Sequence, residues 1–145
     1  MKSIGLAALI ALAIPALAYA DDKIPDVQGK WVGKTHSIVV GRGGHWPSTN
    51  GSFDKPGLSS KDLVIEITGQ SDQRVWGIST LSGNGEQTRE PFIGELFGPK
   101  YRELLVADTD GYLHGTFRGD QLSFCYAQAG KETAVVSCSE LKRSR

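Results

Sequence analysis

The chain has 145 residues, with 16 basic and 16 acidic side chains and 39% hydrophobic residues. This balanced charge, without a basic block, argues against nucleic acid or an anionic membrane surface as the main partner. Eighteen glycines and six prolines among short apolar runs favour an all-β protein over a helical bundle.

The first twenty residues have the three parts of a secretory signal peptide. Lys2 gives the charged start, residues 4–17 the apolar segment, and Ala18-Tyr19-Ala20 the small-x-small cleavage site. The apolar segment is shorter than the ~20 residues of a membrane-spanning helix, so we predict cleavage and no span in the mature chain. Residues 21–145 would then form one periplasmic or secreted domain, and the loss of Lys2 gives it a net charge of −1.

The first strand of the mature chain is predicted near residues 30–40. If Trp31 points inward, alternation places Thr35 and Ser37 on the same inward face. Residues 41–60 form a loop rich in glycine, serine and proline, and a connection of this length is more often a functional lid than a simple connector. Trp46 is a large apolar ring within this polar loop, so we predict that it covers one end of the fold.

Three further strands are predicted near residues 62–68, 74–81 and 88–97. Ile67 of the first is predicted to face Trp76 of the second, which would place Trp76 in the core. In the third strand, Pro91 lacks a backbone donor and indicates an edge or a bulge. The pattern leaves open whether Phe92 or Ile93 faces inward.

A meander of four short strands is predicted near residues 103–108, 112–118, 121–129 and 133–142. Its tight turns are Asp110-Gly111, Gly119-Asp120 and Lys131-Glu132. The first turn is predicted to pair Leu104 with Phe117 and Val106 with Gly115. The resulting register gathers the large apolar side chains on one inward face, which carries Leu104, Val106, Leu113, Phe117, Leu122, Phe124, Tyr126, Val135 and Leu141.

Cys125 and Cys138 are the two cysteines of the chain. The same register places them directly opposite each other on adjacent strands, and an oxidising compartment favours their pairing. No C-x-x-C spacing and no clustered histidines accompany them, so the sequence predicts a structural disulfide rather than a redox pair or a metal site.

Eight sequential antiparallel strands most simply close into an up-and-down barrel, because closure removes exposed strand edges. A sandwich of two four-stranded sheets is the alternative. An eight-stranded barrel has an interior that side chains fill or that holds one small ligand, and the sequence leaves both possibilities open.

Gly29-Lys30-Trp31 at the start of the first strand resembles the G-x-W motif of the calycin barrels, which include lipocalins and avidins. The resemblance implies a small barrel in which Trp31 packs across one end. The long loop after the first strand is also similar to the lipocalin loop that lies over the open end. By the same resemblance a barrel face could mediate oligomerisation, and whether this chain is a monomer or a homo-oligomer stays open.

The inward face is predicted to include small polar side chains as well as apolar ones. The first and last strands of a closed barrel are neighbours, so Thr35, Ser37, Ser137 and Ser139 could form one hydroxyl-lined wall. An apolar cavity with a few polar groups is typical of small-ligand sites, whereas hydroxyls near the rims could instead be satisfied by backbone or water. The predicted ligand-binding residues are Thr35, Ser37, Trp46, Trp76, Phe117, Phe124, Tyr126 and Ser137.

No spacing of residues predicts a metal site, a cofactor or a catalytic constellation. His36, His45 and His114 are predicted to be ordinary surface histidines, and no nucleophile elbow, phosphate loop or HExxH motif is present. Asp108 is the one acid predicted to lie beside a cavity, and capping a turn is its simpler role. The sequence therefore gives no reason to expect an enzyme.

The leading interpretation is a periplasmic or secreted barrel that binds a small, largely apolar ligand. The alternative is a protein-interaction module, such as a periplasmic inhibitor or an assembly subunit. That alternative predicts a filled core and an exposed patch around Trp46, Phe53 and Leu58.

Overall fold

A computed structural model describes residues 23–145, and the predicted signal peptide lies outside the described residues. Eight antiparallel strands form a closed barrel in which each strand pairs with the next and the last pairs with the first. The up-and-down barrel is therefore confirmed, and the two-sheet sandwich is wrong. The strands are β1 (Gly29–Val40), β2 (Gly57–Ser71), β3 (Arg74–Gly83), β4 (Glu86–Phe97), β5 (Glu103–Ala107), β6 (Tyr112–Arg118), β7 (Gln121–Ala129) and β8 (Ala134–Ser144).

A single 3-10 turn, Pro99–Tyr101, is the helical structure within residues 23–145. It is far too short to be a membrane-spanning helix.

The two ends of the barrel differ in how they are closed. At one end, Trp31 is fully buried and its ring packs on Phe117 with a centroid distance of 4.9 Å. The Trp31 Nε1–H donates to the Val27 carbonyl at 3.0 Å, and the Arg143 guanidinium lies over the indole. Trp31 therefore closes this end. At the other end, called the mouth, the loop between β1 and β2 folds over the opening.

The bulge in β2 overturns one predicted register. Ile67 pairs with Gly77 and Gly69 pairs with Trp76, because Thr68 is an extra residue that has no partner in β3. A one-residue shift moves side chains to the opposite face of a sheet. Trp76 therefore lies on the outer surface with 46% of its area exposed, and the prediction of a core position was wrong. Its ring covers Gly69, where a Cβ would lie 2.2 Å from the indole.

The turn between β5 and β6 is longer than predicted, but the same side chains still face the core. Asp108 Oδ1 accepts hydrogen bonds from the backbone N–H groups of Asp110 and Gly111, so residues 108–111 all belong to the turn. Leu104 consequently pairs with Gly115, and Val106 pairs with Leu113. The shift is two residues, so the predicted inward face is unchanged.

In β4, the side chain that faces inward is Phe92 and not Ile93. Phe92 is buried, whereas Ile93 is 69% exposed. Pro91 pairs only with Ile78 of β3, because the pairing of β4 with β5 begins at Ile93. The Leu96 N–H donates to Gln73 O on the β3 side, so alternation directs the Pro91 nitrogen to the β5 side, where it has no partner. The missing N–H of Pro91 therefore costs no ladder hydrogen bond.

Cys125 and Cys138 face each other on β7 and β8 and form the predicted disulfide. Replacing both with serine is expected to lower the free energy of unfolding by about 2–3 kcal/mol, since the bond closes a short loop in the unfolded chain. Urea unfolding of the oxidised protein and of the double variant would measure this difference. A loss below about 0.5 kcal/mol would contradict a stabilising role.

Candidate functional site

The loop of residues 41–56, called the lid, covers the mouth of the barrel. It is shorter than predicted because β2 begins at Gly57, and residues 57–67 of β2 pair with β1. Backbone hydrogen bonds from Trp46 N to Gly43 O and from Thr49 N to Trp46 O fold the lid into tight turns. These turns direct the Trp46 indole into the mouth, where it is 2% exposed and lies 6.3 Å from the Tyr126 ring. The predicted covering position of Trp46 is confirmed.

A cavity of about 50 Å³ lies beneath Trp46, and its wall is mostly apolar. Its lining comes from all eight strands, from the lid and from the turn between β5 and β6. The lining residues are Thr35, His45, Trp46, Leu63, Ile65, Ser79, Leu81, Phe92, Leu104, Val106, Asp108, Leu113, Leu122, Phe124, Tyr126 and Ser137.

Three polar atoms in this wall are buried without a hydrogen-bond partner among the described residues. They are Thr35 Oγ1, Trp46 Nε1 and the Tyr126 hydroxyl. Buried polar groups in proteins are nearly always satisfied, and an unsatisfied one costs roughly 1–3 kcal/mol. A molecule inside the cavity could therefore form hydrogen bonds with all three. The two hydroxyl oxygens can donate or accept, and the indole N–H can only donate.

Burial raises the pKa of Tyr126 above its ordinary value of 10.0, and the charges of Asp108, Asp110 and Glu90 add to the effect. The negative charge of Asp108 is close enough to raise the pKa of the phenol. The two side chains nevertheless do not meet the geometry of a hydrogen bond. Tyr126 is therefore held as a neutral phenol that keeps its proton for donation.

Tyr126 should accordingly weaken the fold only in strong alkali. The unfolded phenol loses its proton above pH 10.0, whereas the folded phenol retains it, so stability falls as the pH rises through and beyond that value. Below pH 10.0 the group has no effect on the pH dependence. We expect Tyr126→Phe to leave the phenolate absorbance of the folded protein at pH 11 unchanged. A decrease corresponding to one tyrosine would contradict this expectation.

The structure brings most of the predicted ligand-binding residues to the cavity, with three exceptions. Thr35, Trp46, Phe124, Tyr126 and Ser137 line it. Ser37 is buried but does not line the cavity. Across β1 and β8, Ser37 pairs with Ser137 and Thr35 pairs with Ser139, so the predicted hydroxyl wall is present. Phe117 is buried at the closed end against Trp31, and Trp76 is on the outer surface. Neither of these two rings reaches the cavity.

The rim of the mouth contains a polar cluster that the sequence did not reveal. His45 of the lid contacts the Glu90 carboxylate through Nε2, and both side chains are largely buried, at 12% and 7% exposure. His45 is therefore not the ordinary surface histidine that was predicted. Glu90 shares the inward face of β4 with Phe92, and that face could not be assigned from the sequence because both candidate faces contain a large apolar residue.

Lys61 supports the lid from beneath. Its Nζ donates to the His45 carbonyl at 2.9 Å and to Glu86 Oε2 at 3.1 Å, and the side chain is almost fully buried. Ser48 Oγ also donates to Glu86. These contacts tie the lid to the ends of β2 and β4.

Comparisons with protein-family models, with curated proteins and with solved structures find no match to this chain. The function is therefore argued from the barrel and its cavity.

Proposed function

We propose that this protein is a periplasmic or secreted barrel that binds a small, largely apolar molecule carrying one or two hydrogen-bonding groups. The observation that carries the proposal is a set of three polar atoms in an apolar cavity wall that have no hydrogen-bond partner within residues 23–145, namely Thr35 Oγ1, Trp46 Nε1 and the Tyr126 hydroxyl. A ligand with matching polar atoms would remove their desolvation cost, whereas a purely apolar ligand would leave it in place.

The size of the cavity indicates how such a ligand would fit. About 50 Å³ is much less than the 300 Å³ or more of a typical ligand pocket, and a cavity that holds benzene measures roughly 150 Å³. A ring-sized ligand therefore requires the Trp46 indole to withdraw from the mouth, and Thr35 Oγ1 and the Tyr126 hydroxyl are then the polar atoms that such a ligand meets. Trp46 belongs to the lid and not to a strand, so its withdrawal leaves the barrel ladder intact.

The calycin resemblance supports the same proposal. We infer kinship with those barrels from Gly29-Lys30-Trp31, from the buried position of Trp31 at the closed end and from the lid after β1. In eight-stranded barrels of this kind, the interior has room for one small ligand.

Phenol and benzene form a matched pair of probes for this proposal. Phenol is expected to bind with an affinity about tenfold higher than that of benzene, because its hydroxyl can pair with the polar atoms of the wall. Isothermal titration calorimetry would measure both affinities. Failure of both probes to bind at millimolar concentration, or equal affinities, would contradict the proposal.

Variants identify the origin of the preference. The double variant Thr35→Val/Tyr126→Phe keeps the shape of the wall and removes two hydroxyls, so the preference for phenol should fall to about twofold or less. Ser123→Ala is the matched control, since Ser123 is an exposed hydroxyl residue on the outer face of β7. Its preference should equal that of the unaltered protein.

A second candidate function is a protein-interaction module, and one observation favours it. Trp76, Ile93 and Tyr112 lie in one cross-strand row on the outer surface, with Ala107 between the last two, and Leu105 is beside the row. This row, called the outer strip, is an exposed apolar surface of the kind that protein partners cover. The predicted patch differs, because Trp46 is buried and only Phe53 and Leu58 are exposed.

The outer strip can be tested without a known partner, because a second copy of the chain is the simplest occupant. Sedimentation velocity over a wide concentration range would detect self-association, and Ile93→Lys should abolish it. A monomer at all concentrations would remove this form of the second candidate.

A further inference from the structure

Three metal-ligating side chains converge at the rim of the mouth from three separate segments. His45 belongs to the lid, Glu90 to β4, and Asp110 to the turn between β5 and β6. One donor atom from each lies within 4.8 Å of the other two, and His45 Nε2 is 3.9 Å from Asp110 Oδ2. The cluster borders an open surface depression of about 500 Å³, so solvent and ions can reach it.

The buried Glu90 and the exposed Asp110 have no cationic side chain beside them apart from His45 within the described residues. Within residues 23–145, no lysine or arginine nitrogen lies within 4.0 Å of Glu90 or Asp110, and His45 is their shared basic neighbour. Glu90 is almost fully buried, so its charge is poorly screened by water. Two converging carboxylates beside one imidazole therefore favour a bound cation.

The ligands are also oriented by neighbouring side chains, as in established metal sites. His45 Nδ1 is 3.1 Å from Thr88 Oγ1, and this hydrogen bond fixes the ring so that Nε2 faces the carboxylates. The Thr109 N–H and hydroxyl both donate to Glu90 Oε1, which leaves Glu90 Oε2 directed at His45. Each of these two ligands is thus held by a group that does not itself ligate.

We propose that His45 Nε2, Glu90 Oε2 and Asp110 Oδ2 bind a divalent transition-metal ion of the Zn²⁺ class. An imidazole nitrogen with carboxylate oxygens suits such ions, whereas Mg²⁺ and Ca²⁺ prefer all-oxygen sites. Three protein ligands leave at least one position that faces the open depression. Because one ligand is in the lid and two are in the barrel rim, the metal joins the lid to the rim beside Trp46.

Titration with Zn²⁺ alone tests this site, and no cavity ligand is needed. We expect one Zn²⁺ per chain by calorimetry, a higher melting temperature with Zn²⁺ than with EDTA, and at least tenfold weaker binding of Mg²⁺ and Ca²⁺. Failure of Zn²⁺ to bind would overturn the metal site and leave the proposal of an apolar ligand untouched.

Variants locate the ion. Asp110→Asn and Glu90→Gln should each weaken Zn²⁺ binding by roughly 100-fold or more, and Thr88→Val by about tenfold. Asp110 is exposed and its carboxylate makes no hydrogen bond within the described residues, so Asp110→Asn leaves the fold intact. His114→Gln is the matched control, since His114 also contacts a carboxylate, Glu103, at 3.2 Å on the outer surface. Unchanged binding in Asp110→Asn and Glu90→Gln, or lost binding in His114→Gln, would overturn the assignment.

Discussion

Replacing Trp46 with alanine is expected to open the mouth of the barrel and to create a binding site for free indole. The indole of Trp46 is 2% exposed and forms part of the cavity wall. Its removal should lower the free energy of unfolding by about 3–5 kcal/mol, as for other large-to-small changes at buried aromatic residues. Free indole should fill the enlarged cavity and raise the melting temperature of the variant by more than that of the unaltered protein, in which the Trp46 indole must first withdraw.

Trp76→Ala provides the matched control for this prediction. It removes the same side chain from the outer surface, where Trp76 is 46% exposed. We expect a loss of no more than about 1 kcal/mol and a response to indole equal to that of the unaltered protein. A folded Trp46→Ala protein that does not respond to indole would show that the interior cannot accept an apolar ring, and the proposed function would then be wrong.

Replacing Trp31 with alanine is expected to have the largest effect on stability. Trp31 is packed on Phe117, lies under Arg143 and donates its N–H to the Val27 carbonyl. Loss of the ring should lower the free energy of unfolding by about 3–5 kcal/mol, and the stranded Val27 carbonyl adds to the loss. Since small domains are stable by only about 5–15 kcal/mol, the variant should be close to unfolded at 37 °C.

Urea unfolding of Trp31→Ala and Trp31→Phe would separate packing from hydrogen bonding. Trp31→Phe keeps an aromatic ring against Phe117 and removes the N–H, so it should be intermediate in stability. If Trp31→Ala were as stable as Trp76→Ala, Trp31 would not close the barrel end.

The sequence predicted the parts of the fold that local turn chemistry and alternation determine. The turn at Gly119-Asp120 set the register of β6 and β7, and the same alternation brought Cys125 opposite Cys138. The position of Trp76 was predicted wrongly, because a glycine such as Gly69 can mark either the end of a strand or a bulge, and here β2 continues past it to Ser71. The one extra residue at Thr68 was enough to place this tryptophan on the surface instead of in the core.

The residues of the candidate site could be predicted only on strands where polar and apolar side chains alternate clearly. Thr35 reached the cavity as expected because the exposed Lys34 and His36 flank it. The turn at Gly119-Asp120 fixed the inward positions of Phe124 and Tyr126, and Ser137 followed as the partner of Tyr126 on β8. The cluster of His45, Glu90 and Asp110 joins a lid, a strand and a turn that are distant in sequence. Only the closed barrel brings these three segments together, so no spacing in the sequence indicated them.

The most direct measurement is native mass spectrometry of the protein purified, without denaturation, from the cells that make it. The account predicts a population heavier than the disulfide-bonded chain by the mass of one small organic molecule, in addition to any bound metal. That added mass should disappear on denaturation and should be reduced in Thr35→Val/Tyr126→Phe. Folded protein that shows only the mass of the chain, with or without metal, would contradict a ligand-binding barrel.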